Sequence, residues 1–144
     1  MPLPNTISQG VDKTITITLN YKDGTPIDLT KVTGLVIYLS YIGDDPTNPF
    51  LKYSLYMTSK ADPSINLSQL GYKQMYAVDA KNGIVRFIIN ADITQTAAIG
   101  VLNFSGKIEY VDKYTDSGFY HKEITPINNF AEIVTAIGSN QINF

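Results

Sequence analysis

Hydrophobic and polar residues alternate along several stretches of the chain, as they do in half-buried β-strands. In the stretch 14–21, Ile15, Ile17 and Leu19 share one face and threonines occupy the other. The stretch 34–41 is apolar on both faces for part of its length, which predicts a central strand. Further strands are predicted over 50–58, 83–90, 101–111, 119–125 and 130–137. The last of these could also be a short helix, although a strand is favoured.

Turn-forming residues separate the predicted strands. An Asp-Gly pair ends at Gly24 and an Asn-Gly pair ends at Gly83, and glycine suits such turns because it adopts positive φ at no steric cost. Asp92 is placed to cap a short helical turn that ends at Gly100. Since helices do not alternate regularly with the strands, the pattern predicts an all-β, antiparallel β-sandwich of seven or eight strands with one short helical turn.

Three segments do not fit the strand pattern. Residues 1–12, with two prolines and no periodicity, are interpreted as an extended N-terminal arm, with a frayed terminus as the equal alternative. Residues 59–76 lack strict alternation and carry apolar residues near helical spacing, so they are interpreted as an insertion that could hold a short helix. Residues 138–144 are a polar C-terminal tail, which leaves one β-sandwich domain over 13–137.

The composition narrows the class of protein. The chain has 144 residues and a formal net charge of −2, which favours one globular domain and gives no reason to expect nucleic acid or a membrane as a partner. It has no cysteine, which excludes disulfides, thiolate metal sites and a cysteine nucleophile. The first residues lack the basic and apolar regions of a signal peptide, so synthesis in a cytoplasm without export is expected. Ten tyrosines and a charged fraction of only 17% suit a β-rich protein that contacts neighbouring subunits.

His121 is the single histidine and the first candidate for catalysis or metal binding. Its expected same-face neighbour Glu123 supplies one further ligand, too few for the three or four protein ligands of a zinc site, and no nucleophile-elbow motif accompanies it. A hydrolase that uses His121 is therefore the least favoured hypothesis, and a solvated or interface histidine is favoured. The acidic loops at 44–45 and 112–116 lack the ligand spacing of a calcium loop and are interpreted as turns.

Tyrosines offer a second kind of candidate site. Six of them could form a platform on which sugar rings stack, although cross-strand pairs and subunit contacts are the favoured interpretation. These tyrosines are Tyr38, Tyr41, Tyr53, Tyr56, Tyr72 and Tyr76. The sequence has no phosphate-binding glycine loop, and its basic residues are spread along the chain. We therefore expect no enzyme activity, no catalytic residue, no metal site and no cofactor.

Two segments together carry a resemblance to a known family. The first is an Asp-Gly turn followed by Pro-Ile-Asp-Leu-Thr and an apolar strand, within 22–39. The second is an Asp-x-x-x-Gly-x-Val-x-Phe strand within 79–90, followed within 92–110 by an Asp-x-Thr turn and a strand that begins at a glycine. In these features the chain resembles the N-terminal domain of the baseplate upper protein of tailed phages that infect Gram-positive hosts. It is also similar to the immunoglobulin-like domains of phage tail and fibre proteins.

The resemblance implies an immunoglobulin-like sandwich and a non-enzymatic structural protein of the virion, in the tail, the baseplate or the head surface. Such a protein is made in the cytoplasm of the bacterial host and docks to other virion subunits or to copies of itself. The alternative function is a carbohydrate-binding module for host recognition, with a host glycan as its partner. Contacts are expected from the arm, the loop 43–50, the insertion and the tail. The candidate interface residues are Leu3, Ile7, Phe50, Tyr72, Tyr76, Ile142 and Phe144.

Overall fold

The computed structural model describes residues 5–45 and 47–135, and β-strands are its main regular structure, with 48% strand and 9% helix. They also contain one α-helix, α1 (Ala91–Thr96), and two 3₁₀ turns (Leu29–Lys31 and Ala80–Asn82). The strands in chain order are β1 (Asn5–Ser8), β2 (Lys13–Thr18), β3 (Gly34–Tyr41), β4 (Leu51–Ser54), β5 (Lys73–Gln74), β6 (Tyr76–Asp79), β7 (Ile84–Ile89), β8 (Gly100–Val111), β9 (Phe119–Glu123) and β10 (Ile127–Val134).

The described strands form two sheets. The larger sheet has the order β1-β10-β8-β3-β4-β5, and β9 joins the same edge of β8 that β10 occupies. Both fit because β8 is 12 residues long, so that β10 pairs with its first part and β9 with its second. The smaller sheet has the order β2-β7-β6. The pairs β1–β10 and β4–β5 are parallel and the others are antiparallel. The predicted all-β fold is confirmed.

The hydrophobic core lies between the two sheets. Alternating inward residues of β3 and β8 in the larger sheet, and of β2 and β7 in the smaller sheet, are buried. Tyr53 of β4 joins the two layers, because its ring centroid lies 4.7 Å from that of Phe87. Its hydroxyl donates a hydrogen bond to the carbonyl oxygen of Ile88 at 2.9 Å. The structure is thus a two-layer sandwich, as the alternation predicted.

The two segments that carry the resemblance meet at Gly83. This residue follows the second 3₁₀ turn with a φ of 73°, a left-handed conformation that favours glycine. Its carbonyl oxygen accepts a hydrogen bond from the Leu19 N–H at 2.8 Å, and the Leu19 carbonyl accepts one from Ile27 at 2.9 Å. A Cβ placed on Gly83 would lie 2.7 Å from the Ile27 carbonyl oxygen and 2.8 Å from that of Leu19. Close backbone packing therefore holds the turn after β2 against the turn before β7.

The prediction of an N-terminal arm over 1–12 is wrong for the residues that the structure describes. Strand β1 pairs in parallel with β10, and Ile7 in this strand is 1% exposed and belongs to the core. A four-residue strand with one inward apolar side chain has no periodicity to detect, so the sequence carries no strand signal there. Ile7 is therefore a core residue of this chain and not a surface contact.

The segment 59–76, all of it described, crosses from the larger sheet to the smaller one and contains no helix. It contributes β5 to the larger sheet and reaches β6 in the smaller sheet, and Met75 between these strands is fully buried. Its helical spacing is misleading, because side-chain-to-backbone turns at Asp62 and Asn66 and a positive φ of 87° at Gly71 redirect the chain. The predicted insertion is thus an integral crossing segment.

Two smaller predictions change in detail. Helix α1 begins after Asn90, so Asp92 lies in the first turn and is not its N-cap. The N–H of Ala91 instead donates to the side chain of Asp12. The last strand is confirmed as a strand, although it begins at Ile127, three residues earlier than the alternation suggests.

Candidate functional site

The outer face of the larger sheet carries two connected cavities. Its floor is built by outward residues of three strands: Lys52, Tyr38 and Ser105 oppose one another in one row. Val36 and Lys107 oppose each other in the next row. A groove of about 660 Å³ and a smaller cavity of about 200 Å³ lie over this floor, and both Tyr38 and Lys107 line both of them. The two cavities therefore form one concave surface, here called the outer groove.

Tyr72 closes one side of the outer groove. The crossing segment folds back over the sheet, so that the Tyr72 hydroxyl lies 2.8 Å from that of Tyr38. The two rings meet edge to face with centroids 6.1 Å apart. The Lys52 ammonium lies 4.8 Å from the Tyr72 ring centroid and donates to the Leu70 carbonyl. Burial, together with the hydrogen bond to Tyr72, raises the pKa of Tyr38, so its hydroxyl stays protonated near neutral pH.

Both carboxylates of the outer groove have partners within the chain. Glu109 accepts a hydrogen bond from the Thr33 hydroxyl at 2.9 Å and lies 3.1 Å from Nε2 of His121. Glu123 lies 3.5 Å from the Lys22 ammonium, in a pair that is mostly exposed to solvent. The negative charge of the groove is therefore partly offset by groups that belong to the same chain.

His121 lies on β9 with more than half of its side chain exposed. Its carboxylate partner is Glu109 across the strand pair, and not the expected Glu123. The expectation fails because directly opposed residues on neighbouring strands are closer than same-face residues along one strand. Among the described residues, no three His, Asp or Glu side chains gather closely enough to hold a metal ion. In this geometry the imidazole links β9 to β8.

The acidic loops form turns, as predicted. Asp45 accepts hydrogen bonds from the backbone N–H and the hydroxyl of Thr47 at 2.9 and 2.8 Å, and Asp112 accepts one from the Tyr114 N–H at 2.9 Å. The contacts from Thr47 hold the pKa of Asp45 below its usual value of 3.8. The same arrangement, with a lowered pKa, recurs at Asp23, Asp28 and Asp62. These carboxylates therefore stabilise turns.

The structure separates the candidate interface residues that it describes. Phe50 packs against the Tyr41 ring with centroids 5.0 Å apart, and Tyr72 lies in the outer groove. Tyr76 belongs to the smaller sheet, where it opposes Arg86. These residues do not form one common surface in the described chain. The candidates that lie outside the described residues are Leu3, Ile142 and Phe144, together with the tail 138–144.

The six tyrosines do not form one platform either. Tyr53 lies in the core and Tyr76 lies on the other sheet. Tyr41 packs against Phe50 and lines neither cavity. The other three, Tyr38, Tyr56 and Tyr72, line the outer groove. The structure thus reduces the predicted sugar platform to a smaller cluster on one sheet face.

Two lysines of the outer groove are missing from the sequence prediction. Lys52 and Lys107 each lie between two inward-facing residues of a strand, so alternation identifies both side chains as outward. Alternation does not say which outward residues are neighbours, because that depends on the order of strands in the sheet. The strand register therefore supplies what the pattern lacks.

A second exposed feature is an apolar strip on the smaller sheet, here called the edge strip. It consists of Tyr76, Val78 and Ile88, which are 63%, 49% and 45% exposed. Tyr76 and Val78 lie on β6, which pairs with β7 on one side and with no described strand on the other. The edge strip thus combines exposed apolar side chains with a free strand edge. Alternation in 83–90 predicts that the Ile88 side chain points outward. Alternation does not predict that β6 has an unpaired edge, because that depends on the order of strands in the sheet.

Comparison with known proteins adds no relative: no model of a protein family matches the chain, and no curated protein matches it significantly. Among the described residues, no helix is long and apolar enough to cross a membrane. The geometry of the outer groove and of the edge strip, together with the resemblance carried by the sequence, is therefore what indicates a function.

Proposed function

We propose that the chain is a non-enzymatic structural component of a tailed-phage virion and acts by docking to other virion subunits. The observation that carries the proposal is the edge strip, because an open edge strand with exposed apolar side chains is suited to pairing with another chain. The resemblance of 22–39, 79–90 and 92–110 to phage baseplate domains supplies the kind of assembly. The proposed location is the tail, the baseplate or the head surface, after synthesis in the bacterial cytoplasm.

The proposal includes an immunoglobulin-like topology for the sandwich. In such domains strands B, E and D belong to one sheet, and strands G, F, C and C′ belong to the other. The order β2-β7-β6 is the one expected for B, E and D, and the order β10-β8-β3-β4 is the one expected for G, F, C and C′. This correspondence supports the proposal, and it leaves β1, β5, β9 and α1 outside the matched strands.

Strand addition is the docking mode that the edge strip favours. The free side of β6 presents backbone N–H and C=O groups that an extended segment of a partner can pair with, and Tyr76 and Val78 add apolar contacts. On the neighbouring strand β7, Arg86 directly opposes Tyr76, and the exposed Ile88 lies two residues further along. Proteins commonly protect an edge strand with charged residues, proline or a β-bulge. Strand β6 contains no lysine or proline, and its acidic residue Asp79 and its register shift lie at the end away from Tyr76.

Purified phage particles provide the first test. Mass spectrometry of particles from a culture that carries this gene is expected to find the chain at a fixed stoichiometry. A map of the particle is expected to show density into which the two-sheet sandwich fits. Absence of the chain from purified particles refutes the proposed function.

A pair of variants then tests the edge strip. Val78→Lys places a charge on the free strand edge, and Val111→Lys makes the same change at an exposed position of β8. Val78→Lys is expected to lower incorporation into particles by about tenfold or more, because a charged edge disfavours strand addition. Val111→Lys is expected to be incorporated normally. Equal incorporation of the two variants contradicts docking through the edge strip, even if the chain is a particle component.

A carbohydrate-binding module is the second candidate function. One observation favours it: Tyr38 and Tyr72 bring their hydroxyls together in a groove on a sheet face. Binding to host-surface oligosaccharides is expected to fall in Tyr72→Ala and to stay unchanged in Tyr76→Ala, since Tyr76 lies on the other sheet. Failure of the unaltered chain to bind any of these oligosaccharides ends this candidate.

A further inference from the structure

The floor of the outer groove offers a ligand mainly side chains. Strands β3 and β8 are interior strands of the larger sheet: β3 pairs with β4 and β8, and the other side of β8 pairs with β10 up to Phe104 and with β9 from Lys107. Most of their backbone groups are therefore already hydrogen-bonded. An extended peptide gains much of its affinity by pairing with a free strand edge, which the interior of a sheet does not offer. The groove therefore suits a ligand that is held by side-chain hydroxyl, amide and ammonium groups.

Lysines outnumber carboxylates among the described residues that line the outer groove. The lysines are Lys52, Lys60 and Lys107, and the glutamates are Glu109 and Glu123. Glu123 pairs with Lys22 and Glu109 lies beside His121. Lys107 is directly opposed to Glu123 across the β8–β9 pair, but it forms no ion pair within 4 Å with a carboxylate of the described residues. In a chain with a net charge of −2, the lining of this groove thus carries one lysine more than it carries carboxylates, and this local excess favours an anionic ligand.

Hydroxyl and amide groups accompany the lysines. When Tyr38 and Tyr72 share one hydrogen bond, one of the two hydroxyls keeps its proton free to donate to a ligand. Thr47, Asn48 and Ser105 add further donors and acceptors along the same groove. Such a surface matches a ligand that is rich in hydroxyl groups.

From these features we infer that the outer groove binds an anionic oligosaccharide. Its carboxylate or phosphate group lies at Lys107, and its hydroxyl groups contact Tyr38 and Tyr72. The inference rests on the second candidate function, carbohydrate binding, and names the ligand class and the site. Lys107 is the central contact because it lines both parts of the groove. An acidic peptide would find the same charge but no strand edge, so the sugar is the favoured occupant.

An oligosaccharide array tests the inference on the full chain. The array carries neutral sugars, sugars with uronate or sialic acid, sugars with phosphate, and acidic peptides as a separate arm. Binding is expected to be confined to the charged sugars and to weaken as the salt concentration rises from about 20 to about 300 mM, because exposed charges are screened. The carboxylate and phosphate arms identify which anion is recognised.

Two lysine variants locate the binding. Lys107→Gln is expected to lower the association constant for the strongest charged sugar about tenfold. Lys31→Gln, which removes the same charge from an exposed residue of a 3₁₀ turn outside the groove, is expected to leave it unchanged. Thermal unfolding confirms that both variants fold. Equal loss in the two variants would reveal unspecific charge attraction and overturn the inference.

The remaining outcomes separate the inference from the function on which it rests. Equal binding of neutral and charged sugars overturns the anionic ligand and leaves carbohydrate binding standing. Binding of acidic peptides alone overturns the inference and makes the groove a protein-binding surface. Binding of nothing on the array overturns both the inference and the second candidate function, and leaves the virion proposal untouched.

Discussion

Gly83 offers a sharp test of whether close backbone packing between two turns holds the sandwich together. Gly83→Ala adds a methyl group at a residue whose φ is 73°, where an L side chain costs about 1–2 kcal/mol. The methyl carbon would also lie 2.7 Å from the carbonyl oxygen of Ile27 and 2.8 Å from that of Leu19. The Leu19 N–H donates a hydrogen bond to the Gly83 carbonyl oxygen at 2.8 Å, so moving the two segments apart would break that bond. Overpacking of this kind costs about 1–3 kcal/mol.

Gly83→Ala is therefore expected to lower the free energy of unfolding by about 2–5 kcal/mol, a large part of the about 5–15 kcal/mol typical of a domain. Gly24→Ala is the matched control. Gly24 has a φ of 89°, and nothing lies within 4 Å of a Cβ placed on it. Only the conformational cost of about 1–2 kcal/mol remains for the control variant.

Urea unfolding followed by circular dichroism measures both changes, provided that the slope of free energy against urea concentration is the same in the variants and the parent. The midpoint is expected to fall clearly further in Gly83→Ala than in Gly24→Ala. Equal losses of unfolding free energy in the two variants would show that the carbonyl oxygens of Leu19 and Ile27 can move away from the added methyl group at no cost. In that case the close approach at Gly83 is not what holds the two turns in place.

Three further outcomes are expected. Ile7→Ala should lower the free energy of unfolding by about 2–5 kcal/mol because Ile7 is a core residue, and a loss below about 0.5 kcal/mol, the scale of surface changes, would make β1 a loosely attached arm. Tyr53→Phe should lower it by about 0.5–1.5 kcal/mol through loss of the hydrogen bond to Ile88, and an unchanged thermal midpoint would contradict that contribution. Side-chain hydrogen bonds from threonines hold the pKa values of Asp23 and Asp28 below 3.8 in the folded chain. The stability that these carboxylates contribute above pH 3.8 should therefore be lost as the pH falls through their folded-state pKa values. Denaturation at a series of pH values checks this, and a free energy of unfolding that stays constant in acid would contradict it.

The long strands are predictable from the sequence because their alternation directly reflects burial. Strands β2, β7 and β8 each alternate over at least six residues, β3 is an eight-residue stretch that is apolar on both faces for part of its length, and the structure confirms all four. The turn glycines Gly24 and Gly83 both have the positive φ that their turns require. By contrast, β1 and β5 have four and two residues, too few for any period. They are strands because a neighbouring strand pairs with them, which is tertiary information.

The outer groove depends on information that alternation does not contain. Tyr38 and Tyr72 are 34 positions apart and meet because the crossing segment turns back over the sheet. The local signals at Asp62, Asn66 and Gly71 mark turns, but the direction of the chain after each turn depends on what it packs against. The sequence can therefore assign Lys107 to an outward position, while its position at the centre of a groove follows only from the assembled sheet.

The parallel pairing of β1 with β10 has a mechanical consequence. Asn5 opposes Ala131 and Ser8 opposes Val134, so the chain enters this pair of strands at one end and leaves it at the other. Tension applied to the chain on both sides would pull the two strands along their length in opposite directions. Their backbone hydrogen bonds would then bear the load together, in shear, instead of breaking one after another. Forced unfolding is governed by the unfolding rate, and bonds that must break together slow that step more than bonds that break one at a time. The parallel pairing therefore raises the resistance of the domain to a pulling force along the chain.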